Sequence, residues 1–180
     1  MKTLMTIGAV ALFLLTAIPA AAESTPFDDA VAKTADELIK DIETQHPMIY
    51  FVLAGKLYDA GRKEEATFWL YAGQLRYRFH IEAHPEPDPA KDKEVFAAMT
   101  QQIGGPINQW AFGDIAMLEK TLADVLAWDE KSPNAITSKK DFAETWQKTR
   151  TGMKGYSAYI HDNAEQIRAQ RSKNGWENRN

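Results

Sequence analysis

The chain has 180 residues, with 21 Lys and Arg against 25 Asp and Glu, and it contains no cysteine. Thiol catalysis, thiolate metal sites and disulfide staples are excluded, so stability has to come from packing. A net charge of −4 argues against nucleic acid or anionic lipid as the natural partner.

The first residues, "MKTLMTIGAVALFLLTAIPAAAES", carry Lys2, an apolar run from Ile7 to Ile18 and the small residues Ala20, Ala21 and Ala22. A basic start, a short apolar stretch and a small-residue exit are the marks of a secretory signal. The run is about a dozen residues, short of the roughly 20 that span a bilayer as a helix, and no basic stop-transfer flank follows. No cysteine stands at the cleavage point to take a lipid. Residues 1–22 are therefore expected to be cleaved, and no membrane insertion is expected afterwards. Cleavage after Ala22 leaves 158 residues and, with Lys2 gone, a charge of −5. That length suits a single α-helical domain over residues 23–180, located in the periplasm or secreted.

From Phe27 to Gln45 the residues Phe27, Val31, Ala35, Leu38, Ile39 and Ile42 recur at steps of three and four. The spacing predicts an amphipathic helix with Asp28 and Asp29 in its first turn. After Pro47, "MIYFVLAGKLYDAG" is apolar on nearly every side until Gly61 closes it as a helix end. The next helix, Arg62 to Ala83, opens with Glu64 and Glu65 and ends with Arg76, Arg78 and His80, the charge order its dipole favours. Its apolar residues cover two faces, Ala66, Trp69, Leu70, Gly73 and Tyr77 on one, Phe68, Ala72, Leu75 and Phe79 on the other. A helix apolar over most of its circumference is sandwiched between neighbours.

"HPEPDPAKDKE" has three prolines and no apolar period, and reads as an extended linker. A helix over Glu94–Ile103 follows, broken at Gly104, Gly105 and Pro106. A long stripe then runs through Ile107, Trp110, Ala111, Ile115, Leu118, Leu122, Val125 and Leu126 to Trp128. Beyond the next loop, Thr137 or Ser138 suits the cap of a helix bearing Phe142 and Trp146. Past Gly152 and Gly155 a last helix aligns Met153, Tyr156, Ile160, Ala164 and Ile167, ahead of a polar tail from about residue 171. No strand pattern is found. The expected class is all-α, with six or seven helices in a compact bundle or stack.

Residues 50–80 carry a further pattern: Tyr50 or Phe51, Ala54, Gly55 and Tyr58, then Gly61 at a turn, then Ala66, Leu70 and Gly73. It resembles one tetratricopeptide or Sel1-like helical hairpin, departing from that repeat's spacing by about one residue at the turn. The resemblance implies a scaffold for protein contacts. In general character the chain is also similar to the small periplasmic immunity and adaptor proteins of bacteria.

Three sets of residues carry candidate chemistry. His80 and His84 stand four apart, on one helix face, as a two-histidine metal site requires, with Glu86 or Asp88 as a further ligand. Asp114, Asp129 and Glu130 lie near tryptophans, where an acid's pKa can rise to suit a general acid. Neither a nucleophile elbow nor a phosphate loop is present. Trp69, Tyr71, Arg76, Tyr77 and Arg78 are residue types that anchor protein interfaces. Against that, Trp69 and Tyr77 suit a core, and so do Trp110, Trp128 and Trp146. The reading that follows is an exported protein-binding module of the immunity or adaptor kind, contacting another protein, a basic one in view of the acidic balance. No metal and no cofactor is assigned. The alternative is a metal- or carboxylate-dependent envelope hydrolase centred on His80, His84 or Asp114.

Overall fold

Thr25 and Thr34 open the first two helices by the same device. In the computed structural model, which describes residues 25–85 and 89–179, each threonine hydroxyl accepts an amide three residues on while Asp28 or Glu37 reaches back to the threonine amide. The pattern Thr-x-x-acid is a capping box, and its second copy starts a new helix. The single helix expected over 27–45 is therefore two, α1 (Pro26–Ala32) and α2 (Ala35–Asp41), followed by a 3-10 turn. The expected signal segment lies outside the described residues.

Next come α3 (Pro47–Asp59) and α4 (Lys63–Ala83), antiparallel and joined by a turn in which Gly61 adopts φ 79°. That left-handed value is open to glycine without steric cost. Gly73 lets the pair touch: a Cβ there would stand 2.7 Å from the Cβ of Tyr50. Around α4 are packed α3, α5 (Pro89–Gln102), α6 (Gly104–Ala111), α7 (Ile115–Lys131) and α8 (Ala143–Asp162). This explains its two apolar faces. A single cluster of buried apolar side chains runs from Ala30 to Ile160 and includes Tyr50, Phe51, Leu70 and Leu122.

Nine α-helices are found among the described residues, more than the six or seven expected, and no strand. Part of the expected linker is the start of α5. The stripe from Ile107 to Trp128 breaks at Asp114, whose carboxylate accepts the Met117 amide at 2.9 Å and starts α7 afresh. Gly152 and Gly155, expected to separate helices, lie inside α8, where added Cβ atoms would meet nothing within 4 Å. The expected polar tail is instead α9 (Ala164–Lys173) and a returning segment. There Arg171 donates to the Gln109 carbonyl at 2.7 Å, and Arg179 to that of Trp110 at 2.7 Å. Among the described residues no helix is long and apolar enough to cross a membrane.

The two classes of glycine respond oppositely to a methyl group. Gly73→Ala forces α3 and α4 apart and is expected to cost about 1–3 kcal/mol. Gly152→Ala, on an open helix face, is expected to stabilise by about 0.4–1 kcal/mol. Urea denaturation of the two variants beside the parent measures both.

Candidate functional site

A buried polar network lies where α3, α4, α7 and α8 meet. Arg76 and Asp129 are each 1% exposed. Asp129 accepts from the Trp146 indole at 2.8 Å, from Arg150 at 3.0 Å and from Arg76 at 3.4 Å. The remaining Arg76 nitrogens donate to the Tyr50 hydroxyl at 2.7 Å and to Ser132 at 2.6 Å, and its guanidinium lies 4.1 Å from the Trp128 ring centre. Lys139 donates to the backbone carbonyls of Asp129 and Ser132, and Glu130 closes on Arg150 from the rim. Burial pushes the Tyr50 phenol up to about 12, so it stays protonated at neutral pH. Every charge here has a partner, as a buried charge must.

This arrangement corrects the expected contact set. Tyr71, Arg76 and Tyr77 are buried and offer no surface to a partner. Trp69 is half-buried and stacks edge-on against Tyr50, Phe68 and Trp128, the last at 5.4 Å. Arg78 alone of the five is exposed. The carboxylates marked as candidate acids have structural partners, Asp114 as the cap of α7 and Asp129 in the network above.

His80 and His84 do share a face, with ring centres 4.6 Å apart, and His46 stands 5.0 Å from His80. Their nitrogens are engaged locally. His84 Nδ1 donates to the His80 carbonyl at 3.0 Å, His80 Nδ1 pairs with the Thr137 hydroxyl at 2.8 Å, and His46 Nδ1 accepts the Met48 amide at 3.2 Å. Among the described residues no group of three or more His, Asp or Glu side chains is placed to hold a metal. Glu86 and Asp88 lie outside the described residues. Burial first, then the neighbouring His46 and His84, hold the His80 pKa down at about 4, against the opposing pull of Asp92.

Arg78 stands at the mouth of a cleft of about 630 Å³ whose walls are α4, α5, α6 and α8. Leu75 and Met153 form apolar wall, Gln74, Thr100, Asn108 and Tyr156 supply polar groups, and Glu82 and Lys148 sit at the rim, bridged at 3.0 Å. Gln74 is only 5% exposed, yet its amide has no hydrogen bond among the described residues. The Thr100 hydroxyl is likewise buried without a partner. Beside the cleft, α8 presents Tyr156 at 38% exposure and Tyr159 at 60%. A buried hydroxyl left unbonded costs free energy, and such an exception in a folded chain calls for a partner such as an ordered water, an ion or a ligand. The volume is that of a small-molecule or side-chain pocket.

The sequence offered one signal for this site, a glutamine in the middle of a helix otherwise apolar on most sides. No protein-family model matches the chain, and neither a curated protein nor a solved structure matches it.

Two outcomes follow from the buried groups. Asp129→Ala strands two buried guanidiniums and is expected to cost about 3–5 kcal/mol by urea denaturation, whereas Arg78→Ala, at the surface, costs less than about 0.5. His80 binds its proton less readily folded than unfolded, so its contribution is present above the ordinary histidine pKa of 6.5 and is lost as pH falls toward about 4. Melting temperature should therefore drop across that window, and the drop should be shallower in His80→Gln.

Proposed function

We propose that the protein is an exported binding protein rather than an enzyme, and that it grips another protein at the α4–α8 cleft and the tyrosine face beside it. The observation that carries this reading is the cleft itself, lined by the polar side chains of Gln74, Asn108 and Arg78 and by Thr100, whose hydroxyl is buried without a partner among the described residues. Amide, hydroxyl and guanidinium groups form hydrogen bonds but neither give up nor take a proton near neutral pH, which suits them to recognition rather than acid–base work. Arg78, Tyr156 and Tyr159 add the residue types that anchor protein interfaces.

Location rests on the apolar leader ending at Ala20–Ala22, which argues for the periplasm or the exterior. The α3–α4 pair serves as the rigid tetratricopeptide-like scaffold that holds Gln74 and Arg78 in place. The overall acidic balance suggests a basic partner, but the local chemistry points the other way. Around the mouth stand Arg78 and Lys148, with Lys93 on the adjoining surface, against Glu82. The segment that enters the cleft is therefore one bearing an acidic group, on the protein that this chain, of the immunity or adaptor kind, binds.

The test is retention of a partner from envelope and secreted fractions by the chain from residue 23, tagged at its N-terminal end and compared with its variants. A single protein held in equal amount, lost from Arg78→Glu and from Tyr159→Ala but kept by the remote surface change Val31→Ser, is the expected result. Equal retention by all four forms, or no retained protein, would overturn the reading.

A further inference from the structure

We infer that the cleft is a carboxylate-binding site, an assignment that rests on the binding reading above and specifies what it recognises. Three side chains with hydrogen-bond donors line it. The Asn108 carbonyl oxygen is occupied by the Tyr71 hydroxyl at 2.9 Å, which orients the side chain and leaves Nδ2 to donate. Burial keeps the Tyr71 phenol well above its ordinary pKa, so that hydroxyl retains the proton it donates. Gln74 contributes a second amide. Asn108 Nδ2 and Gln74 Nε2 each lie 3.8 Å from the place a Cβ on Gly104 would take, so the two amide nitrogens stand near each other on the α6 side of the cleft.

The third donor is Arg78. Its guanidinium lies 5.2 Å from the Phe96 ring centre, which steadies it, and no carboxylate pairs with it among the described residues. The other cation at the mouth, Lys148, is already bridged to Glu82. One guanidinium with no ion pair among the described residues matches a singly charged anion better than a phosphate dianion, and its planar fork fits the two oxygens of a carboxylate. Leu75 and Met153, in the lining, face a short apolar body. The ligand is thus a carboxylate on a small apolar residue, either the end of a polypeptide or a free organic acid.

Gly152 provides a clean control. It lines the cleft, an added Cβ there meets nothing within 4 Å, and it sits inside α8, so Gly152→Leu fills the space while improving helix propensity. The experiment titrates the chain from residue 23 with N-acetyl-leucine, acetyl-Ala-Ala-Leu and the C-terminal amides of both. Calorimetry and the side-chain amide NMR signals of Gln74 and Asn108 are the readouts. Both acids are expected to shift those signals. The amides and the Arg78→Gln variant should bind roughly tenfold more weakly or worse, and Gly152→Leu should lose binding at an unchanged or higher melting temperature. Tighter binding of the tripeptide acid identifies a polypeptide end as the source, and equal binding of the two acids identifies a free organic acid. Acids and amides bound equally, no binding at millimolar probe, or binding unaffected by Gly152→Leu would overturn the assignment. If those results came with a protein partner still lost from Arg78→Glu, the carboxylate assignment alone would fall. Loss of neither would remove the binding reading as well.

Discussion

One carboxylate, Asp129, holds two buried guanidiniums, and the relative placement of four helices depends on it. Arg76 stands on α4, Asp129 on α7, Arg150 on α8, and the Tyr50 hydroxyl that accepts from Arg76 is on α3. Apolar contacts tolerate small rotations of one helix against another, but a hydrogen bond between buried charges does not, because a broken one strands a charge away from water. The network therefore acts as a cross-brace with a narrow range of allowed geometry. Its reach extends to the cleft. Gln74 and Arg78 flank Arg76 on α4, while Gly152, Met153 and Tyr156 follow Arg150 on α8, so bracing one pair of residues sets the separation of the two principal walls.

The aromatic and arginine richness of residues 58–80 takes on a different meaning in this light. Residue types common at interfaces are used inside, where Trp69, Trp128, Tyr50 and Phe68 pack edge to face and the Trp128 and Tyr50 rings lie against the Arg76 guanidinium. A weakly hydrated, planar cation is well suited to such a ring enclosure, which a lysine ammonium would not match. The cleft proposed for recognition is lined by plainer groups, two amides, a hydroxyl and a neighbouring arginine.

How far the chain announces this can be judged residue by residue. Apolar periodicity is a local property, and it marks α4 and its two covered faces correctly. The breaks are also local but quieter. Thr34 and Glu37 spell a capping box inside a stripe whose phase continues across it, and Asp114 caps α7 with its carboxylate between Ala111 and Ile115, so periodicity alone joins what the caps divide. Gly152 and Gly155 err in the other direction, since a glycine ends a helix only where the backbone turns, and here it does not. The site is a matter of distant pairs. Whether Arg76 faces solvent or core depends on Asp129, 53 positions away, and whether Asn108 offers an oxygen or a nitrogen depends on Tyr71, 37 positions away. No spacing rule on one stretch of helix contains that information.

The end of α6 carries an implication for the order in which the molecule is completed. Helix termini leave carbonyls that a nearby glycine or water ordinarily satisfies. Here the carbonyls of Gln109 and Trp110 are met by Arg171 and Arg179, from 62 and 69 positions further along, and the Gly113 carbonyl by the Arg179 amide at 2.6 Å. A Cβ on Gly113 would come within 2.7 Å of the Arg179 guanidinium, so the site is shaped to receive it. During synthesis these acceptors await their arginine partners until residues 171–179 have emerged, although the Trp110 carbonyl already accepts the Gly113 amide at 3.0 Å. The α6–α7 corner is accordingly finished only after α7, α8 and α9 have been made, and a polypeptide cut short of Arg171 lacks the groups that close it.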